Sequence, residues 1–375
     1  MTDSMQWISE GNAHYEAQRW NEACIAFERG LALDPRQPSA WYRLGNAREE
    51  LGQNDLAVAD CFEKSVGLDP SHAQAWNNLG NVQQRLGRTE QAMGSYRNAL
   101  QADPGLAQAC LNLGRLAEVH GDHALALECL RTGLAHHPGD PIFEHLAAAA
   151  AGLEPARPPE NYVASLFDGL APRFERHLVQ DLKYQIPEAI GRMVRPQLEA
   201  VRGAAAPARV IDLGCGTGLV GVALAATGAE ITGVDLSQRM LEVASRRGVY
   251  AKLEQGELTD VLARTAAGSA RAVLAADVFI YIGDLAPVFA AVARVLAPGG
   301  LFALSAEGID EGTYHLQRSG RYGHAPAYLR ALAAQCGLEE RRLERATIRR
   351  EGRGNAEGWL ALFAKAGCGT APTSA

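Results

Sequence analysis

Two hydrophobic rhythms divide the chain. Up to residue 138, apolar side chains recur at helical spacing in paired segments, and each pair ends at a proline. From residue 209 onward, short apolar runs alternate with helical stretches. The runs predict strands over 209–213, 230–234, 250–254, 272–276 and 301–305. A last pair over 338–349 and 359–365 is expected to lie antiparallel. Predicted helices cover 188–201, 219–227, 285–296 and a segment through 247 that Ser237 is placed to cap. Two short helices are expected within 161–186. Strict alternation of strand and helix implies a doubly wound α/β sheet.

The first half repeats itself. Gly11, Gly45, Gly80 and Gly114 stand 34 or 35 residues apart, as in Trp41-Tyr-Arg-Leu-Gly45 and Trp76-Asn-Asn-Leu-Gly80. Ala23, Ala57, Ala92 and Ala126 follow them, then Phe27, Phe62, Tyr96 and Leu130, and each unit closes at Pro35, Pro70, Pro104 or Pro138. Small residues let two helices cross closely, and the rings fill the space between hairpins. Four units in phase over 4–138 resemble the tetratricopeptide repeat family. That resemblance implies an all-α solenoid over 1–150, including a capping helix near the alanine run 147–152, with a concave surface for a protein or peptide. It also implies that Asn46, Asn78, Asn81 and Asn112 hold a peptide backbone; solvated polar residues on a helix face are the other reading. Trp41 and Trp76 fall at packing positions. The Pro-rich stretch 151–160 reads as a linker.

The second half is organised around Val210-Ile-Asp-Leu-Gly-Cys-Gly-Thr-Gly218, a strand running into a glycine turn and a helix. Glycine lets backbone turn sharply and lie against a ligand, and a helix start offers free N–H groups. Further features stand in register with it: Gly233-Val-Asp-Leu-Ser237, Gly256-Glu257, Asp277-Val-Phe-Ile-Tyr281 and Leu296-Ala-Pro-Gly-Gly300. Together they resemble the class I S-adenosylmethionine-dependent methyltransferases, over residues 161–366, and imply a Rossmann-like sheet. The pairing of such a domain with tetratricopeptide repeats is similar to bacterial predicted methyltransferases that carry them. Gly216-Thr-Gly-Leu-Val-Gly221 also fits the dinucleotide fingerprint. Asp212 before the turn, the acid after the third strand and the Pro-Gly-Gly set the methyltransferase pattern apart.

The resemblance implies S-adenosylmethionine as cofactor and assigns roles by position. Asp212 would hold its ammonium, directly or through water. Gly214, Cys215, Gly216 and Gly218 would form the turn against it, with Cys215 unreactive. Asp235 would take the ribose hydroxyls, Leu236 line the adenine site and Glu257 accept from the adenine amino group. Asp277 and Val278 would line the space near the transferring methyl. Phe174, Tyr184, Arg321 and Tyr322 are candidate substrate residues, and His324 or Tyr281 a candidate base. The polar, aromatic stretch 307–326 reads as a lid. Arg341, Arg342, Arg345, Arg349 and Arg350, interleaved with glutamates, read as an exposed mixed-charge strand.

Composition narrows the function classes. A net charge of −7 argues against a general nucleic-acid binder. Seven scattered cysteines without a C-x-x-C pair indicate neither a disulfide framework nor a metal site. The polar N-terminus and the short longest apolar run, 146–152, argue against a leader and a membrane span, so a cytoplasmic setting is expected. Residues 367–375 are expected to be a disordered tail. The chain thus reads as a methyltransferase acting on an unidentified small or protein acceptor. The alternative is an adaptor whose second domain binds the cofactor without turnover.

Overall fold

A computed structural model describes residues 2–159, 161–164, 166, 185–203, 206–351 and 354–367. The chain divides into two compact units, Met1–Ala150 and Ala151–Ala375.

The first unit is a row of helical hairpins. Its helices are α1 (Thr2–Glu16), α2 (Trp20–Leu33), α3 (Pro38–Glu50), α4 (Asp55–Leu68), α5 (Ala73–Arg85), α6 (Thr89–Ala102), α7 (Ala107–Val119), α8 (His123–His136) and α9 (Pro141–Ala150). Glycine is required where the two helices of a hairpin cross. A Cβ on Gly11, Gly45 or Gly80 would lie 2.6, 2.6 or 2.5 Å from a ring carbon of Phe27, Phe62 or Tyr96. Each of those rings is fully buried. The Trp41 and Trp76 indoles pack half-buried and donate to the carbonyls of Pro35 and Pro70, at 2.8 and 2.9 Å. Each tryptophan thereby satisfies a carbonyl left open where proline ends the previous hairpin. The last helix of the unit, α9, follows the fourth hairpin, and its Phe143 is buried against Gly133.

The second unit is built on a mixed sheet, nine-stranded among the described residues. The helix α10 (Ile186–Glu199) precedes β1 (Arg209–Leu213), α11 (Leu219–Leu224), β2 (Glu230–Asp235), α12 (Gln238–Ser245), β3 (Lys252–Gln255), α13 (Leu258–Arg264) and β4 (Ala270–Ala275). Then come α14 (Ala286–Val295), β5 (Leu296–Gly308), β6 (Tyr314–Leu316), β7 (Tyr322–His324), α15 (Pro326–Gln335), β8 (Leu338–Glu351) and β9 (Gly354–Lys365). The strands β3, β2, β1, β4 and β5 lie side by side and parallel. On the far side of β5, β9 runs antiparallel, with β8 beside it. Apolar side chains of α13, α14 and α15 pack on one face, and those of α10 and α11 on the other.

Three differences from expectation have physical causes. First, β5 begins at Leu296 and not at 301, because the Pro298-Gly299-Gly300 segment forms an irregularity between the Ala270↔Leu296 and Ala272↔Leu301 pairings instead of ending the element. Second, 307–326 is no free lid. Beyond Leu304, where pairing with β4 has ended, β5 pairs with β7, and β6 folds back on β7. Third, the stretch expected as a free linker is bonded along the second unit: the Ala156 carbonyl accepts the N–H groups of Gly283 and Asp284 at 3.1 and 3.0 Å.

The hairpin crossings can be tested by a pair of substitutions. Gly80→Ala would press a methyl into the Tyr96 ring and should lower stability by about 1–3 kcal/mol. Gly94→Ala, on a helix position with open space around it, should raise stability by about 0.5–1 kcal/mol. Urea unfolding followed by circular dichroism distinguishes the two signs.

Candidate functional site

The glycine turn sits where β1 gives way to α11, at the carboxyl ends of the parallel strands, where open α/β sheets bind ligands. Gly214, Gly216 and Gly218 all have left-handed backbone, with φ of 60°, 52° and 89°. They serve different ends. A Cβ on Gly214 would meet Val278 at 2.6 Å, and one on Gly218 would meet Tyr250 at 2.9 Å. A Cβ on Gly216 would meet nothing within 4 Å. Gly216 is half-buried, with its N–H on Asp235, and the side where a Cβ would stand faces open space that a ligand can enter.

Beneath the turn lies Tyr250, which the sequence reading passed over. Its hydroxyl donates to Asp212 Oδ2 at 2.7 Å and accepts the Gly221 N–H at 3.2 Å. No local pattern signals this, because the partners are 38 and 29 residues away. Asp212 is fully buried, and its Oδ1 has no partner among the described residues. Burial, with a smaller push from the nearby Asp235 charge, raises its carboxyl to about 7 against the lowering effect of the Tyr250 bond. An unpaired buried carboxylate oxygen suits a cation such as an ammonium. Cys215 is buried as well; burial and the neighbouring carboxylates push its thiol up, which keeps it inert.

Asp235 ends β2. Its Oδ2 accepts the Gly216 N–H at 2.9 Å and its Oδ1 the Ser237 N–H at 2.9 Å. Ser237 caps α12 as expected, accepting the Met240 N–H at 3.2 Å. The Leu236 carbonyl takes the Gln255 amide. Glu257 caps α13 with Oε2, bonded to the backbone of Thr259 and Asp260, so that Oε2 is committed and only Oε1 points elsewhere.

The other side of the site is a charge cluster centred on buried Arg349 and Glu307. Asp277 has left-handed backbone, φ 59°, and its N–H donates to Ser305 Oγ at 2.8 Å. Both of its carboxylate oxygens accept from Arg349 Nη1, at 3.0 and 3.2 Å. Arg349 Nη2 bonds Glu307, whose other oxygen accepts the Gln317 amide at 3.1 Å. Arg321 reaches Glu307 at 3.7 Å. Burial pushes the Glu307 carboxyl up, and the two arginines oppose it. Arg349 is thus a correction: it is only 3% exposed, while Arg341, Arg342 and Arg345 of the same strand are exposed as expected. Its side chain leaves the surface because two carboxylates inside need a cation. Glu307 was missed as a site residue, being read only as the edge of a lid.

The candidate bases separate. Tyr281 is half-buried within electrostatic range of Arg321 and Asp277, and burial pushes its hydroxyl up. His324 does not open to a substrate. It is fully buried, its Nε2 donates to the carbonyls of Ile282 and Gly283 at 3.0 and 3.1 Å, and burial lowers it to about 4. Tyr322 is buried too, its hydroxyl donating to Pro155 O at 2.9 Å. Phe174 and Tyr184 lie outside the described residues.

In the repeat unit the asparagines join one another. Asn78 donates to Asn46 at 2.9 Å, and Asn112 to Asn77 and Asn81 at 3.0 Å each. Asn46 donates to Tyr15, and Asn81 accepts from Tyr96. The half-buried ladder ties consecutive repeats together. Among the described residues no cluster of His, Cys, Asp and Glu is arranged to hold a metal, and no helix is long and apolar enough to cross a membrane.

Comparison with known proteins bears on both units. The model of a methyltransferase domain matches residues 210–300, which contain the glycine turn, Asp235, Glu257 and Asp277. Tetratricopeptide repeat models match 11–52, 38–72 and 73–106. The chain therefore combines tetratricopeptide repeats with a methyltransferase domain, for which S-adenosylmethionine is the indicated cofactor. The ubiquinone biosynthesis O-methyltransferase of Xanthomonas oryzae pv. oryzae (strain PXO99A) is 34% identical over 103 residues, 27% of this chain and 43% of that protein. The Psychrobacter arcticus protein of the same name is 34% identical over 102 residues, 26% of this chain and 40% of that one. The matches thus span less than half the length of these relatives. Among solved structures, magnesium protoporphyrin IX methyltransferase from Synechocystis PCC 6803 aligns at 18% identity and TM-score 0.43, covering 56% of this chain and 100% of that one. MamA protein aligns at 21% identity and TM-score 0.37, covering 40% and 84%. Likeness at that level says nothing of chemistry.

Asp212 has a measurable signature. Between its ordinary value of 3.8 and about 7, the unfolded chain has released this proton and the folded chain keeps it. Its contribution to stability is therefore full below the lower value and is lost as pH rises through the upper one. Asp212→Asn should flatten the fall in unfolding midpoint between pH 5 and 8, measured by urea titration at each pH. An unchanged slope would place the titration elsewhere.

Proposed function

We propose that the second unit transfers a methyl group from S-adenosylmethionine to an acceptor held beside the charge cluster, and that the repeat unit recruits a protein. The observation that carries this reading is the glycine turn. Gly216 backbone lies open, Asp235 stands at the adjacent strand end, and Asp212 Oδ1 is buried without a partner. In this reading Asp212 faces the cofactor's ammonium and Asp235 its ribose hydroxyls. Glu257 Oε1 faces the adenine amino group. The sulfonium of the cofactor supplies an electrophilic methyl.

The chain's own contribution is then positioning and exclusion of water. Asp277 and Val278 wall the acceptor side, with Asp277 held in place by Arg349 and Ser305. Arg321, 29% exposed at its side chain, is the cation suited to a carboxylate or phosphate on the acceptor. Tyr281 is the remaining candidate base among the two considered, since His324 is sequestered. That sequestration also favours a second reading, in which the cofactor is bound without turnover.

Calorimetry and labelled donor separate the readings. S-adenosylhomocysteine should bind the full chain and NAD should not. Asp235→Ala should weaken binding by about 100-fold, the loss of hydrogen bonds to a charged group worth roughly 3 kcal/mol. Binding of NAD alone would overturn the assignment. Incubating lysate and its protein-free extract with labelled methyl donor then identifies the fraction that accepts the label. Binding with label in neither fraction would support the adaptor reading.

A further inference from the structure

Residues 154–157 follow the last repeat helix, α9, after a short connection, and they are fastened along the rim of the candidate site. Glu154 Oε1 lies 2.5 Å from His315 Nδ1. The Pro155 carbonyl accepts from the Tyr322 hydroxyl at 2.9 Å. The Ala156 carbonyl accepts two backbone N–H groups, from Gly283 and Asp284. Arg157 Nη1 stands 3.6 Å from Glu257 Oε1. One short strap therefore joins the stretch after β4 to the residue that caps α13.

The stretch after β4 is shaped to receive it. A Cβ on Gly283 would lie 3.0 Å from the Ala156 oxygen and 2.8 Å from the Tyr322 ring, so glycine is what permits the close approach. His324 holds the carbonyls of Ile282 and Gly283 on one side of the peptide chain. The N–H groups of Gly283 and Asp284 are left to the strap on the other. The buried histidine thus gains a purpose that a role as base did not give it.

An exposed ion pair such as Arg157–Glu257 contributes little by itself. Here the backbone next to Arg157 is already ordered by the bonds at Pro155 and Ala156, so little further entropy is lost in placing the guanidinium. Glu257 is likewise half fixed, with Oε2 bound to the start of α13. The remaining oxygen, Oε1, is the one that Arg157 faces.

We propose that residues 154–157 are a wall of the cofactor site and that Arg157 is a positioning residue, aligning Glu257 Oε1 for the adenine amino group. The proposal rests on the methyltransferase reading above. It places the start of the functional second unit at the end of α9 instead of after a linker, so that the chain leaving the repeats is itself part of the site.

The test uses the full chain and two ligands. S-adenosylhomocysteine carries the adenine amino group; S-inosylhomocysteine has a carbonyl there. Arg157→Gln should weaken the first by about fivefold, the size of one ordinary hydrogen bond, and leave the second nearly unchanged. Arg157→Lys should recover most of the loss. Tyr322→Phe, which frees Pro155, should produce the same selective loss, and the double variant should fall well short of the product of the two. Arg157 and Tyr322 would be coupled only through the strap. The proposal is overturned if folded Arg157→Gln binds both ligands as wild type does, or loses both equally, or if the two effects simply multiply. Should Arg157→Gln fail to fold, Tyr322→Phe carries the same ratio test. If wild type binds neither ligand, the cofactor reading falls and the strap with it; a change in the ligand ratio bears on the strap alone.

Discussion

The second unit depends on one tyrosine packed under a glycine turn. The Tyr250 ring occupies space that Gly218, Gly221 and Gly233 leave open; a Cβ on any of them would come within 2.9 Å of the ring. Its hydroxyl sits between the Asp212 carboxylate and the Gly221 N–H at the start of α11. A buried carboxylate without such a donor would cost several kcal/mol. The same hydroxyl satisfies an otherwise open N–H in the first turn of the helix. Glycines of the turn, the strand acid and the helix start are therefore held together from below, and the upper side of Gly216 stays free.

Across the site the organising element is charge. Arg349 lies between half-buried Asp277 and buried Glu307 and is itself buried. Asp277 takes a left-handed backbone that a non-glycine residue adopts at a cost of order 1 kcal/mol or more. Arg349 on the carboxylate and Ser305 on the N–H hold it there. A preorganised wall of this kind suits a reaction in which alignment and dryness matter more than proton transfer. The buried His324 fits the same logic, since it fixes backbone and contributes no exposed base.

The repeat unit is stabilised differently, by contacts that recur every 34 or 35 residues. The first three hairpins each close a ring over a glycine, the fourth sets Cys129 against Gly114, and the asparagine ladder links one repeat to the next. Amide groups already engaged in a ladder retain spare donors and acceptors. If the proposed protein partner lays a peptide on that surface, it would extend an ordered row instead of ordering loose side chains, which lowers the entropy lost on binding.

Both architectures were legible from the chain itself because their causes are local. Helical period, strand period and breaking residues act over a few positions, and the repeats state their own spacing. The acids at Asp212, Asp235 and Asp277 were legible for a similar reason: the strand ends that position them are marked by neighbouring glycines, serine or apolar runs. Tertiary structure decided which groups pair. Tyr250 reaches Asp212 across 38 residues, Arg349 reaches Asp277 across 72, and Tyr322 reaches Pro155 across 167. No periodicity encodes such pairings. Arg349 stands among exposed arginines of the same strand, and the inward carboxylates of Asp277 and Glu307 draw it in. Residues 151–160 carry linker composition, yet the bonds that seat 154–157 come from Gly283, Asp284 and Tyr322, more than 100 positions away. Local pattern selects elements; the partners of buried polar groups are chosen only when those elements meet.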